Sequence, residues 1–360
     1  MDEKMKKVCI AFRLPGTYLG YEAIQVGNVN RTYKINVRLE DGSKKSFLVQ
    51  NVNTYAFRNP IGLMNNIDLV TEHIRRKCPD RRNLHFHHTA DRKTYLLDGE
   101  NFWRVMNYVD SATYSATTDP VILRNAGRAF GEFQTQLADF DIHLLVETIP
   151  NFHNTRTRYE SLVTAVAEDV AHRAESVQPE IAYLLSVQDT ACTLTDLGKA
   201  GRLPLRVTHN DTKINNVLFD NKTGAPLVVI DLDTVMPGLI GHDFGDAIRF
   251  AANYVLEDSP EYDKVGVNLD AFTAFAEGFL ERTADCMTQE ELDTLAVSSF
   301  CMTAEVAVRF LDDYLRGDPY FKTLYPEHNL VRTRNQIALC RDMMRHMEQM
   351  QSIVRRCSGR

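Results

Sequence analysis

Residues 206–233 read RVTHNDTKINNVLFDNKTGAPLVVIDLD, and no other stretch constrains the fold as tightly. The pattern predicts a loop, a strand at Val217 to Phe219, a turn over Asp220 to Gly224 and a return strand at Leu227 to Ile230. A hairpin of this kind brings the ends of HNDTKINN and VVIDLD side by side. It sits in a half of the chain whose other segments carry helical periodicity.

The first hundred residues are strand-rich: TYKINVRL, KSFLVQNV and TYLLDGENFWRVMNYV hold β-branched and aromatic residues, and Asp41-Gly42 and Asp98-Gly99 mark hairpin turns. One helical stretch interrupts them, IGLMNNIDLVTEHIRRK, with Leu63, Ile67, Val70 and Ile74 on one face. After Asp110 helices take over. Ile122, Ala126, Phe130, Phe133 and Leu137 share one face, and Ala304, Ala307, Leu311 and Tyr314 share another that stops at Gly317 before Asp318-Pro319. The expected class is α+β in two lobes, a small β-rich lobe over residues 1–109 and a mainly helical lobe over 110–360 that carries the hairpin.

Two oxygen-bearing side chains at neighbouring strand ends, Asn216 and Asp231, suit magnesium, a hard cation that keeps part of its coordination for water and phosphate. Asp211 precedes Asn216 by five residues and reaches the site from the loop, where a carboxylate can accept a proton from an attacking hydroxyl. Asp-x-x-x-x-Asn followed by a strand and an Asp is the arrangement of kinase catalytic loops. Asp233 shares a strand face with Asp231 by the period of two, as a second metal ligand or as a partner behind the first. His209 is read as ordering the loop backbone. Lys213 either offsets charge on a transferred phosphoryl group or is a solvated lysine. Downstream, GHDFGDAIRF contains Asp243-Phe244-Gly245, the tripeptide that holds magnesium in protein kinases. It lies a dozen residues past Asp231, beyond the strand end, so Asp243 and Asp246 are read as structural, capping a helix or fixing the loop.

HNDTKINNVLFD and VVIDLDTVMPG resemble the aminoglycoside phosphotransferase and choline kinase superfamily, which shares the bilobal protein-kinase-like fold. PLRVTHNDTK, DFGD, DYL and YPEHNLVRTR are similar to segments of the N-acetylhexosamine 1-kinases, and the likeness is strongest over 204–250 and 309–334. The resemblance implies phosphorylation of the anomeric hydroxyl of N-acetylhexosamines with ATP and magnesium. In it Asp211 is the base and touches the sugar, Asn216 and Asp231 hold the metal, and Arg309 and Tyr320 contact the substrate. QVGNVNRTYKI falls where the phosphate-covering loop lies, which implies nucleotide contacts at Gly27, Asn30 and Thr32. Where relatives have Gly-His-Ile-Asn, this chain has Gly27-Asn28-Val29-Asn30, a departure at the sugar-facing Asn28. The third strand of the superfamily normally carries a lysine for the phosphates; Gln50 stands there, as in the hexosamine kinases, leaving that task to backbone, metal and cations such as Lys213. WRVMNYV is either the adenine-contacting hinge, through the backbone of Met106 to Tyr108, or a plain edge strand. By spacing alone, Arg309 belongs to a solvated stripe with Glu305, Asp312 and Arg316.

A net charge of −7 and a pI near 5.9 argue against a nucleic-acid partner. No apolar run of signal-peptide or membrane-spanning length is evident, so a cytoplasmic location is expected. Seven scattered cysteines lack a C-x-x-C pair and are read as free thiols, and His85, His87 and His88 of HFHH as surface. Two rivals remain open: a kinase for another small alcohol such as choline, homoserine or an aminoglycoside, and a non-catalytic nucleotide-binding protein.

Overall fold

Apolar alternation builds the first sheet in the computed structural model, which describes residues 1–24 and 29–359. Strands β1 (Thr17–Ile24), β2 (Arg31–Arg38), β3 (Lys44–Val52), β4 (Leu96–Asp98) and β5 (Asn101–Asn107) form an antiparallel sheet in the order β1-β2-β3-β5-β4. One face presents Tyr33, Ile35, Val37, Phe47, Val49, Trp103 and Val105 to Met5, Val8 and Phe12, contributed by and next to helix α1 (Asp2–Ala11). That helix was not expected: DEKMKKVCIA buries only Met5 and Val8, too sparse a pattern to stand out. On the other face Val52, Phe102 and Met106 pack with Leu63, Met64, Ile67 and Val70 of α2 (Pro60–Lys77), and this core continues into the helical lobe. Asn59 caps α2 by accepting from the Gly62 N–H, with Pro60 at the first helical position.

The helical lobe comprises α3 (Pro120–Gln136), α4 (Thr155–Glu168), α5 (Gln178–Ser186), α6 (Gln188–Ala191), α7 (Thr193–Lys199), α8 (Ile240–Ala251), α9 (Leu269–Thr283), α10 (Gln289–Leu315), α11 (His328–Arg345) and α12 (Met347–Ser358). Between α7 and α8 lie β6 (Arg206–Thr208), β7 (Val217–Phe219), β8 (Pro226–Val229) and β9 (Met236–Gly238), paired β6 with β9 and β7 with β8. Helices α3 and α9 cross so closely that a Cβ at Gly127 would sit 2.2 Å from the Phe275 carbonyl, and one at Gly278 2.0 Å from that of Arg124. α10 starts in a capping box of Thr288 and Glu291. Contrary to the sequence reading, α10 is long and apolar enough to cross a membrane by length and composition. Since 83% of its apolar window is buried against the other helices, it serves as a core helix. The boundary expected near residue 110 falls in the connection between β5 and α3, and all seven cysteines are free.

Candidate active site

The hairpin forms as its turn chemistry dictates. Val217 pairs with Val229, Leu218 with Val228, and the Ile230 N–H donates to the Asn216 carbonyl at 2.8 Å, which sets the two loops side by side. From below, α8 holds the loop that begins at His209. Asp243 Oδ2 accepts from the His209 N–H (2.9 Å) and from Gln134 (2.6 Å), Oδ1 accepts from the Asn210 N–H (2.8 Å), and Asp246 accepts from the Thr212 N–H (3.0 Å). Of the two structural roles open to Asp243 and Asp246, the geometry assigns loop fixing. Both are buried. His209 is fully buried between Phe130 and Phe133, its Nε2 lies 2.8 Å from the Ile230 carbonyl, and its Nδ1 accepts from the Asp211 N–H.

Asp211 projects from this loop beside Lys213, whose Nζ lies 2.9 Å from Oδ1. Asn216 donates its amide to the Asp211 carbonyl at 2.8 Å. Burial opposes ionisation of Asp211, but Lys213, backed by His209 and Arg249, outweighs it and holds the carboxyl below the usual carboxylate range. The same pairing raises Lys213 against its own burial. Lys213 is therefore not free: its side chain is partly exposed, and its ammonium pairs with Asp211.

Asp231 does not end a strand. β8 stops at Val229, and Asp231 takes a left-handed conformation (φ 60°) before a 3-10 turn over Leu232–Thr234. Asp231 is exposed, and its carboxylate makes no ion pair or hydrogen bond among the described residues. Protein atoms crowd it on the other sides, and this loss of water, together with the Asp233 and Asp211 carboxylates, pushes it up to about 6. An unpaired carboxylate beside the amide oxygen of Asn216 is a donor set that fits magnesium, with the remaining positions left to phosphate and water. Among the described residues no group of three His, Cys, Asp or Glu side chains forms a metal set. Asp233 leaves the candidate ligand set. The 3-10 turn breaks the period of two, and its buried oxygens are taken by the Arg104 guanidinium and by Asn30 Nδ2 at 2.6 Å.

On the nucleotide side, Gly27 and Asn28 lie outside the described residues. Asn30 accepts from the Asn53 N–H (2.9 Å) while donating to Asp233. Gln50 donates to Thr32 Oγ1 (3.1 Å) and accepts from Arg104 Nε (2.9 Å), so Asn30, Thr32 and Gln50 join one network. Lys34, on the Thr32 side of the sheet, covers the Tyr108 ring at 4.4 Å. Met106 pairs with Leu48 and bridges to Phe86, and the Asn107 N–H donates to the His85 carbonyl at 3.2 Å. The strand is thus covered on both sides and is not an edge. Of the three candidate hinge residues, Met106 and Asn107 lie within β5 and Tyr108 just beyond it. His85 and His87 are half-buried around Phe86, rather than on the surface. Arg104 is the site residue that sequence reasoning missed. A charge between Phe102 and Met106 on one face of an apolar strand was the available signal.

The residues that the resemblance places against the substrate, Arg309 and Tyr320, lie on α10 and in the segment that follows it. Arg309 forms no ion pair among the described residues and stands over the rings of Phe152 and Phe321 (5.5 Å each) and Tyr320 (6.0 Å). Tyr320 is 70% exposed, and its loop is pinned by Asp313, which accepts from the Tyr320 and Phe321 N–H groups. The expected solvated stripe is corrected at Glu305. This residue is fully buried, with Oε1 2.8 Å from His153 Nδ1 and Oε2 accepting from Thr155 Oγ1 at 2.7 Å. Burial opposes its charge, yet His153, Arg309 and Thr155 hold it down at about 2. His153 Nε2 reaches the Asn210 carbonyl at 3.3 Å, which ties the arginine and aromatic cluster to the residue before Asp211. Arg158 donates to the Phe152 carbonyl, its Nε makes no hydrogen bond, and burial and the charge of Arg309 lower it.

Residues 79–278 match the model of the phosphotransferase enzyme family. Among solved structures the fold is similar to a spectinomycin phosphotransferase in complex with ADP and spectinomycin (13% identity, TM-score 0.59, 97% of this chain and 99% of that one). It is also similar to an amicoumacin kinase in complex with AMP-PNP and Ca2+ (14%, 0.60, 94% and 93%) and to a choline kinase from Cryptosporidium parvum (14%, 0.55, 96% of each).

Proposed function

Because the chain belongs to the phosphotransferase enzyme family, we propose that it moves the γ-phosphoryl group of ATP to the anomeric hydroxyl of an N-acetylhexosamine, giving ADP and the sugar 1-phosphate. It is a phosphotransferase of the aminoglycoside phosphotransferase and choline kinase type, which acts on small alcohols. In the transfer, the C1 oxygen bonds to phosphorus, the bond from phosphorus to the β,γ-bridging oxygen breaks, and the hydroxyl proton passes to Asp211. A loose transition state asks for positioning and charge neutralisation more than covalent work. Asp211 orients the hydroxyl, and because C1 carries the most acidic hydroxyl of a sugar, a carboxylate held below its ordinary range suffices as acceptor. Lys213 stands ready to offset charge on the transferred group. Magnesium on Asn216 and Asp231 would neutralise the phosphate oxygens, as fits neighbours that hold ADP, or AMP-PNP with Ca2+.

The observation that carries the choice of acceptor is the charge along α10. A cationic acceptor such as choline calls for acids or open aromatic faces. Here Arg309 stands beside the rings of Phe152, Tyr320 and Phe321, so a cation approaching the exposed Tyr320 ring would meet its positive charge. The nearby acids are engaged: Glu305 by His153 and Thr155, Asp312 by Arg316 and Ser161, Asp313 by backbone N–H groups and Asn329. Arg309 and Arg158 offer N–H donors, and these suit the acetamido carbonyl and hydroxyls of an N-acetylated sugar. The non-catalytic alternative loses ground for a different reason, since a binding protein has no use for a carboxylate held ionised on a loop pinned at His209, Asn210 and Thr212.

ADP release measured against a panel of N-acetylglucosamine, N-acetylgalactosamine, glucosamine, choline and homoserine tests the reading. The N-acetylated sugars are expected to turn over fastest, and Arg309→Ala to raise their KM at least tenfold while leaving the KM for ATP unchanged. A preference for choline or for the free amino sugar would sink it.

A further inference from the structure

Asp231 belongs to a loop of the helical lobe, yet its neighbour Asp233 is gripped from the other lobe. Arg104 of β5 is 1% exposed, and its guanidinium donates to three side chains: to Asp233, to Gln50 Oε1 at 2.9 Å and, weakly, to Met64 Sδ at 3.9 Å. Asn30 supplies the second bond to Asp233. Gln50 and Arg104 are directly paired on β3 and β5, so the only cation of this pair stands one strand over from the position where the superfamily carries its lysine. Asn66 of α2 adds a tie to the same loop by donating to the Val235 carbonyl at 3.0 Å.

Resting on the phosphotransferase reading, we propose that Arg104 and Asp233 form a cross-lobe bridge that sets the metal-binding loop against the nucleotide-side sheet. Asp233 lies in the 3-10 turn that follows the left-handed Asp231. Fixing Asp233 therefore fixes the direction in which Asp231 points. Arg104 also neutralises the carboxylate next to Asp231, which would otherwise add a second uncompensated charge. A planar guanidinium holds Gln50 and Asp233 in fixed directions through its fork of donors, whereas a lysine offers a point charge on a flexible stem. Arg104 is a positioning residue, too enclosed to touch nucleotide itself.

A buried ion pair is costly to break on one side, whereas removing both charges is often close to neutral for stability. That difference separates positioning from mere support. The test compares Arg104→Met, the double variant Arg104→Met/Asp233→Asn, Arg104→Lys and Gln50→Lys by melting temperature without ligand and by calorimetric titration of AMP-PNP across magnesium concentrations. Arg104→Met is expected to lower the melting temperature. The double variant is expected to recover most of it while still needing at least tenfold more magnesium for half-maximal AMP-PNP binding. Arg104→Lys, the variant safest for folding, is expected to need several-fold more. Gln50→Lys, which removes an acceptor and places a second cation beside Arg104, is expected to weaken binding. A double variant that regains both stability and the wild-type magnesium requirement would overturn the proposal, as would an unchanged requirement in Arg104→Lys. Failure of the wild-type protein to bind AMP-PNP with magnesium would instead overturn the nucleotide reading beneath it, and this proposal with it.

Discussion

Asp211 is held ionised by Lys213 on a loop whose N–H groups at His209, Asn210 and Thr212 are fixed by Asp243 and Asp246, so its position and its charge have separate sources. Replacing Asp211 by Asn keeps the shape and removes the proton acceptor. Turnover is expected to fall by roughly 10²–10⁴-fold while AMP-PNP affinity, read by calorimetry, stays within about twofold. Asp231 and Asp243 differ in the same manner. Asp231→Asn is expected to raise the magnesium concentration needed for half-maximal turnover steeply, because its carboxylate is exposed and unpaired among the described residues. Asp243→Asn is expected to act on melting temperature, because each of its oxygens already accepts within the protein. Magnesium titrations of the two variants check the pair; a magnesium effect at Asp243 with none at Asp231 would reverse the assignment.

Helices α3, α9 and α10 carry the fold's tighter constraints. Gly278→Ala would drive a Cβ into the Arg124 carbonyl, and the crossing must open. A loss of at least about 2 kcal/mol is expected, measured by denaturant unfolding. On α10, Glu305 has its folded-state value depressed from 4.5 to about 2, so its ionised form stabilises the fold. That contribution is present above 4.5 and is lost as pH falls toward 2. Wild type is therefore expected to exceed Glu305→Gln in stability by on the order of 3 kcal/mol near pH 7, with the gap closing between pH 4.5 and 2; a gap independent of pH would show that the charge is not what matters. These elements also mark how far the sequence could be read. The hairpin, α2, α3 and the apolar face of α10 were legible because each rests on local turn chemistry or on periodicity. Glu305 and Arg104 were not, because their partners His153 and Asp233 lie 152 and 129 residues away. Asp233 was misplaced because a left-handed residue at Asp231 ended the strand early, and a period-two argument cannot anticipate such a break.

At the scale of the whole molecule, the two lobes meet through a buried ion pair and a continuous apolar core, while the proposed acceptor side is an arginine, Arg309, set beside aromatic rings. The account stands on which oxygen receives the phosphoryl group. Incubating the protein with ATP, magnesium and N-acetylglucosamine or N-acetylgalactosamine and recording the phosphorus NMR spectrum of the product decides it. The account predicts a sugar phosphate whose phosphorus couples to the anomeric proton, and no reaction of the 1-O-methyl glycoside; coupling to the C6 methylene protons, or turnover of that glycoside, would contradict it.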